Sequence, residues 1–286
     1  MTLRKGLVLA AFILLALQFL LPKLPLPQAI YRYLWVIDIT QSMNTPDYNV
    51  PDLPKERLEF VKATLRRALP ALPCGSEVGV GVFTSQTVQV LFEPLEVCAH
   101  ASVIDTVIAR IDWRMAWAAN SRIDQGLAAA LRLVRTRNQN GRLVFLSDGQ
   151  NAPGDERSPD FSAVRGQVRG FLIGTGSTQP SLVPRYDRDN RPLGYFLKTD
   201  SAHLPEADAG TPATDPYYHA WLDEAHLLQL ADATGLAYQR LDDPAAFIAT
   251  LNDPTLAEYR RTPLDVRWVV VLLATLLLLG SVMTAR

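Results

Sequence analysis

Surplus charge, cysteine, histidine and repetition are all scarce in this 286-residue chain. Lys and Arg total 28 against 29 Asp and Glu, a net charge of −1. A chain so nearly neutral has no field to gather nucleic acid, so no nucleic-acid partner is expected. There are only two cysteines, Cys74 and Cys98, and no paired Cys or His stands at zinc-ligand spacing. The histidines His100, His203, His219 and His226 are scattered, and all four read as surface or packing residues. No internal repeat or low-complexity run is present. Gly174-Thr175-Gly176-Ser177 follows a strand but lacks Gly-Lys-Ser/Thr and the spaced Gly-x-Gly-x-x-Gly, so it does not read as a phosphate cradle.

What the chain does have is a set of apolar strands ending in oxygen ligands. Residues 31–37 are aromatic and β-branched without polar alternation, as in a strand buried on both faces. Asp38 follows, then hydroxyls at alternate positions, Thr40 and Ser42. Ligands of open α/β sheets bind beyond the carboxyl ends of the strands. An Asp-x-Thr-x-Ser placed there offers hard oxygens suited to Mg²⁺, Mn²⁺ or Ca²⁺ rather than Zn²⁺. The same residues also serve as turn and N-cap residues. A second buried strand ends in Ser147-Asp148-Gly149, and between the two Asn120-Ser121-Arg122 opens a helix over 123–135.

Taken in that order, these three stretches resemble the von Willebrand factor A (vWA) family. That resemblance implies a metal-ion-dependent adhesion site whose ligands here are Asp38, Thr40, Ser42, Ser121 and Asp148. Thr40 stands where Ser is commoner and Ser121 where Thr is commoner, and both keep the hydroxyl. Asp124 and Gln125 stand where the family often has Gly-Asp. The resemblance covers roughly residues 31–251. It implies an α/β fold, a doubly wound and mainly parallel sheet with one antiparallel edge strand. It also implies a protein partner that presents an acidic side chain to a Mg²⁺, Mn²⁺ or Ca²⁺ ion. Trp113, Trp117 and Asn44 are candidates for a rim that grips the partner, although the tryptophans could equally pack their loop against its own helix. Asp47 and Asp52 lie in the polar loop that follows Ser42 and either face the metal or serve as turn residues, the second being the preferred reading.

The ends of the chain are apolar. Residues 7–21 are broken only by Gln18 and preceded by Arg4 and Lys5; residues 268–283 lie between Arg267 and Arg286. Both read as transmembrane helices, the first an uncleaved signal anchor with a cleaved signal peptide as its rival, although each is a little short of the ~20 residues that cross a bilayer. The positive-inside rule places both termini in the cytoplasm and the domain in the periplasm. The expected organisation is therefore 1–28 anchor and Pro-rich stalk, 29–258 vWA domain with an insertion at about 178–220, and 259–286 second span. Within the insertion, 186–194 reads as a hairpin turn and 202–216, rich in Ala, Asp and Pro, as mobile. Strands at 77–84 and 87–92 form a hairpin whose open end is flanked by Cys74 and Cys98 within one residue of register. A disulfide there is geometrically plausible and requires an oxidising compartment.

A vWA domain between terminal spans resembles the bacterial membrane-anchored Bat-type group. Four stretches (38–44, 72–75, 112–117 and 145–150) are further similar to the MxaL-type accessory proteins of methanol oxidation. That likeness implies assembly of a periplasmic quinoprotein dehydrogenase alongside a MoxR-type ATPase. The expected function is a membrane-tethered binding module rather than an enzyme. A metal-independent scaffold and a metal-assisted hydrolase using Asp38 and Asp148 stay open as alternatives, the hydrolase without a visible base or nucleophile.

Overall fold

The structure is a computed structural model, and it describes residues 3–20, 24–118, 120–137, 141–152, 158–187, 189–200, 214–264 and 266–283. The chain divides into two units, Met1–Ala29 with Glu258–Arg286, and Ile30–Ala257. Its helices and strands run α1 (Leu3–Leu17), β1 (Leu24–Ile30), β2 (Arg32–Asp38), α2 (Arg57–Ala68), β3 (Glu77–Thr84), β4 (Thr87–Glu96), α3 (Ala101–Arg110), α4 (Ile123–Arg137), β5 (Arg142–Ser147), β6 (Arg169–Gly174), β7 (Ser181–Leu182), β8 (Pro184–Tyr186), β9 (Pro192–Tyr195), β10 (His219–Ala220), α5 (Glu224–Thr234), β11 (Ala237–Arg240), α6 (Pro244–Leu251), β12 (Glu258–Leu264) and α7 (Arg267–Met283).

Six strands of the larger unit form one sheet in the order β11-β6-β5-β2-β3-β4. All neighbours are parallel except β4, which pairs antiparallel with β3 at the edge. The doubly wound fold expected from the sequence is therefore present. Alternate residues of β2 serve opposite cores. Tyr33, Trp35 and Ile37 pack with α2, α3 and α6, while Leu34 and Val36 pack with α4 and α5. A strand covered on both faces has no polar positions to spare, which is why 31–37 reads as continuous apolar sequence.

This topology fixes where a ligand can go. From β2 the chain winds through β3 and β4 to one side, then returns through β5, β6 and β11 on the other. The winding direction reverses between β2 and β5, and that reversal opens a crevice at the carboxyl ends of the strands. Asp38 ends β2, and Asp148 directly follows β5.

The hairpin has Thr84 facing Thr87. Cys74 and Cys98 form a disulfide with a Cα–Cα separation of 5.3 Å. The Glu96 carboxylate lies beside the two sulfurs, but it accepts hydrogen bonds from the backbone N–H groups of Gly75 and Ala99, and the sulfurs are bonded to each other. This trio is a covalent staple rather than a metal site.

The smaller unit departs from expectation. In it α1 and α7 pack together, and β1 pairs with β12. The two expected spans are helical, but α1 has 15 residues and α7 has 17, and among the described residues no helix is long and apolar enough to cross a membrane. At 1.5 Å per residue α1 is about 22 Å long, against a hydrocarbon core of ~30 Å. The apolar run continues past Leu17 to Leu20, but its last residues are a turn rather than helix, and a proline cluster follows. Large apolar side chains of both helices are exposed, among them Phe12, Ile13, Trp268 and Leu276.

Candidate metal-ion site

Asp38 is fully buried, and both its oxygens are occupied. Oδ1 accepts from the Thr40 backbone N–H at 2.9 Å and from the Thr40 hydroxyl at 2.7 Å. Oδ2 accepts from the Ser147 hydroxyl at 2.7 Å. Thr40 Oγ1 lies 3.4 Å from Ser42 Oγ, and Ser42 hydrogen-bonds Asp148. Two of the three predicted loops thus meet as one connected set of oxygens. The third arrives by backbone pairing. Ser121 exchanges two hydrogen bonds with Ala152, at 2.9 and 2.6 Å, and the adjoining Arg122 N–H donates to the Ser85 carbonyl in the β3–β4 turn. Ser121 is held between the hairpin turn and the segment after Asp148. Its hydroxyl is buried and has no hydrogen-bond partner among the described residues.

All five predicted ligands therefore belong to one region, and Thr40, Ser42 and Ser121 line a shared cleft with a cavity of about 30 Å³. Gly149 makes the turn after Asp148 with φ +79°, and a Cβ there would meet the Asp223 carbonyl and the Leu227 side chain.

At the site the buried carboxylates outnumber the guanidinium of Arg57, which pairs with both Asp47 and Asp148. Burial, and then the neighbouring Asp148, raise the Asp38 pKa to about 7, against the hydrogen bonds from Thr40 and Ser147. Burial also raises Asp148, opposed chiefly by Arg57. Two carboxylates and three hydroxyls, of which the Ser121 hydroxyl is orphaned, make a donor set that fits a hard divalent cation.

Arg57 is the feature that sequence reading missed. Its side chain is fully buried in α2, yet it carries a charge. Nη1 donates to Asp148 Oδ2 at 2.8 Å, Nη2 to Asp47 Oδ2 at 2.6 Å, and Nε to both Asp47 oxygens. Burial works against this charge, and Asp47 and Asp148 more than compensate. The guanidinium lies against Gly176, whose φ of +102° and missing Cβ make room for it. Asp47, read from sequence as a turn residue, is instead the buried counter-ion of Arg57, and it also accepts from the Ser177 N–H.

His226 corrects a second expectation. Its Nε2 lies 2.8 Å from Asp124 Oδ1 and its Nδ1 lies 2.6 Å from the Gly149 carbonyl. Both neighbours only accept, so both ring nitrogens donate and the ring is an imidazolium. Burial lowers its pKa, but Asp124 and the carbonyl outweigh burial and hold it above the ordinary value. Asp124 also accepts from Asn151 Nδ2, and Asn151 Oδ1 accepts from the Ile123 N–H that opens α4. Asp124, with its non-family neighbour Gln125, thus helps tie α4, α5 and the Asp148 loop together.

The rim candidates separate. Trp117 is 54% exposed. Trp113 packs against Tyr186 with ring centroids 6.1 Å apart and donates its indole N–H to Asn190. Asn44 is buried in the short 3-10 turn after Thr40, not on a rim. A hairpin is present, but β8 and β9 pair Tyr186 with Pro192, so 192–194 belong to a strand rather than to the expected 186–194 turn; the stretch 201–213, which holds most of 202–216, lies outside the described residues. The base of the insertion pairs β7 with β10, and Val183, Phe196, Tyr218 and Ala220 form a small apolar cluster. The first three of these also wall the cleft.

Residues 33–150 match the family of von Willebrand factor type A domains. Two solved structures share the fold. One is an aerotolerance-related membrane protein from Bacteroides fragilis, 17% identical with a TM-score of 0.55, covering 78% of this chain and 98% of that one. The other is the conserved hypothetical protein BatB from Bacteroides thetaiotaomicron, 16% identical with a TM-score of 0.56, covering 79% and 98%. No curated protein matches the chain by sequence.

Replacing Arg57 by Met leaves Asp47 and Asp148 buried without their cation, so Arg57→Met is expected to lower the unfolding free energy by roughly 3–5 kcal/mol. Arg57→Lys should recover less than half of that, because one ammonium cannot serve both carboxylates in the guanidinium geometry. Denaturant titration of the two variants checks both values. For His226 the raised folded-state pKa means its stabilisation is fully present below the unfolded value near 6.5 and is lost as pH rises through the folded one. His226→Gln should therefore be less stable than wild type at pH 5.5, with the difference shrinking by pH 9; a difference that grows with pH contradicts the imidazolium assignment.

Proposed function

With a von Willebrand factor type A domain over residues 33–150 as the premise, we propose that this chain is a divalent-cation-dependent protein-binding module. The single observation that supports it best is the orphaned Ser121 hydroxyl, buried in the same cleft as Thr40 and Ser42, beside two carboxylates raised in pKa. Asp38, Thr40, Ser42, Ser121 and Asp148 would hold Mg²⁺, Mn²⁺ or Ca²⁺. The bound ion would supply Lewis-acid attraction for a carboxylate of a protein partner. Thr40 and Ser147 orient Asp38, Arg57 orients Asp148, and the two loops flanking Ser121 fix its position. Binding is favoured over hydrolysis because both Asp38 oxygens are already committed to hydrogen bonds and Asp148 is paired with Arg57, which leaves neither as a free general base.

The cellular setting follows from other parts of the chain. The disulfide suits an oxidising compartment such as the periplasm. The exposed apolar faces of α1 and α7 suit association with a lipid bilayer. The finer role, assembly or maturation of a periplasmic quinoprotein dehydrogenase with a MoxR-type ATPase, rests on the four short stretches similar to MxaL-type proteins.

Titration calorimetry with Mg²⁺ and Mn²⁺ tests the site. Wild type should bind one ion per chain, and Asp148→Ala should abolish binding. Partner capture should be lost both in EDTA and in Asp148→Ala. Capture that survives both would leave a metal-independent scaffold as the better reading.

A further inference from the structure

The disulfide at the open end of the β3–β4 hairpin sits among further metal donors. A Glu96 carboxylate oxygen and the sulfurs of Cys74 and Cys98 all lie within 4.8 Å of one another. His100 is at the same place. Its Nδ1 lies 3.3 Å from the Glu96 carbonyl, and its ring is near enough to act on the Glu96 carboxylate. Both cysteines and His100 are exposed. Burial raises the Glu96 pKa, but the N–H groups of Gly75, Ala99 and Cys98, with His100, outweigh burial and keep the carboxyl below its ordinary range. Sequence spacing hides this cluster, because its two turns are 24 residues apart.

The two cysteines stay neighbours without the bond between them. Glu77 pairs with Glu96 across the hairpin, the Val97 N–H donates to the Ser76 carbonyl at 2.9 Å, and the Gly75 N–H donates to the Glu96 carboxylate at 2.6 Å. Val97 itself is buried in the core. These interactions hold the turn carrying Cys74 beside the turn carrying Cys98 whatever the state of the sulfurs. Exposed disulfides are the ones that thiol reductants reach. Tetrahedral zinc with Zn–S bonds of about 2.3 Å places its sulfurs roughly 3.8 Å apart, a separation that side-chain rotation supplies from these positions.

We propose that the reduced chain carries a second metal site here, a zinc site made by Cys74, Cys98, Glu96 and His100, which the disulfide closes. Two sulfurs, one carboxylate and one imidazole make a four-donor set for zinc rather than for Mg²⁺. A dithiol reductant gives up two electrons and two protons and becomes a disulfide, while Cys74 and Cys98 become thiols. Zn²⁺ then displaces both thiol protons to solvent. The hairpin end is cross-linked in either state, covalently when oxidised and through the ion when reduced. This site is independent of the cleft at Asp38 and Asp148.

Co²⁺ tests it as an optical stand-in for Zn²⁺, because a cobalt–thiolate bond gives a charge-transfer band that the all-oxygen cleft cannot produce. The full-length chain is titrated before and after treatment with a phosphine reductant, which brings no competing thiol. The reduced chain should keep its circular dichroism spectrum and develop the band to saturation at one Co²⁺ per chain, and Zn²⁺ should erase it. The oxidised chain should show no band. Cys98→Ser should remove it. Glu96→Gln and His100→Ala should each weaken Co²⁺ binding by about tenfold, the loss typical when a supporting group of a metal site is removed. No band from the reduced chain at saturating Co²⁺, loss of its fold on reduction, or a band whose affinity neither Glu96→Gln nor His100→Ala changes overturns the inference, and each leaves the cation cleft standing.

Discussion

Two carboxylates buried side by side repel each other, and much of this fold is arranged around that repulsion. Asp38 and Asp148 are placed together because β2 and β5 are adjacent parallel strands and both chains turn at their carboxyl ends. Sheet pairing forces the two acids into proximity whatever their electrostatic cost. The surroundings offset that cost with hydroxyl donors on Asp38, a guanidinium on Asp148 and a second acid, Asp47, to balance the guanidinium. What is left over is a negative, oxygen-rich cleft, and that surplus is what the proposed ion would neutralise.

Arg57 also joins parts that are far apart in the chain. It reaches from α2 to the Asp148 loop, to Gly176 after β6, and to the Ala220 carbonyl at the base of the insertion, 3.3 Å away. His226 does the same on the other side, connecting α5 to α4 and to Gly149. The Asp148 loop is therefore gripped from both sides by buried cations. A loop held this firmly keeps Ser147 and Asp148 in register, as the proposed three-segment site requires.

Much of this was legible in the sequence, for reasons of periodicity and position. Continuous apolar runs marked β2 and β5, and carboxylates at their ends marked the crevice, because a polar group directly after a doubly covered strand must sit at the sheet edge. The cysteine pairing followed from counting outward from a short turn. Arg57 was not legible. On an amphipathic helix an arginine ordinarily belongs to the solvated face, and no local pattern shows that this one turns inward to acids 10 and 91 residues away. His226 was hidden likewise, since Asp124 and Gly149 are neighbours only in space. The apolar termini were legible as surface-seeking helices but not in length, because hydropathy counts apolar residues and does not say where the helix stops.

The central claim is that three chain-distant loops cage one hard cation, and anomalous diffraction from crystals soaked in Mn²⁺ addresses it most directly. The account predicts a single peak within direct or water-bridged reach of the Thr40, Ser42 and Ser121 hydroxyls and the Asp38 and Asp148 carboxylates. A peak elsewhere, or none in this cleft at saturating Mn²⁺, contradicts it.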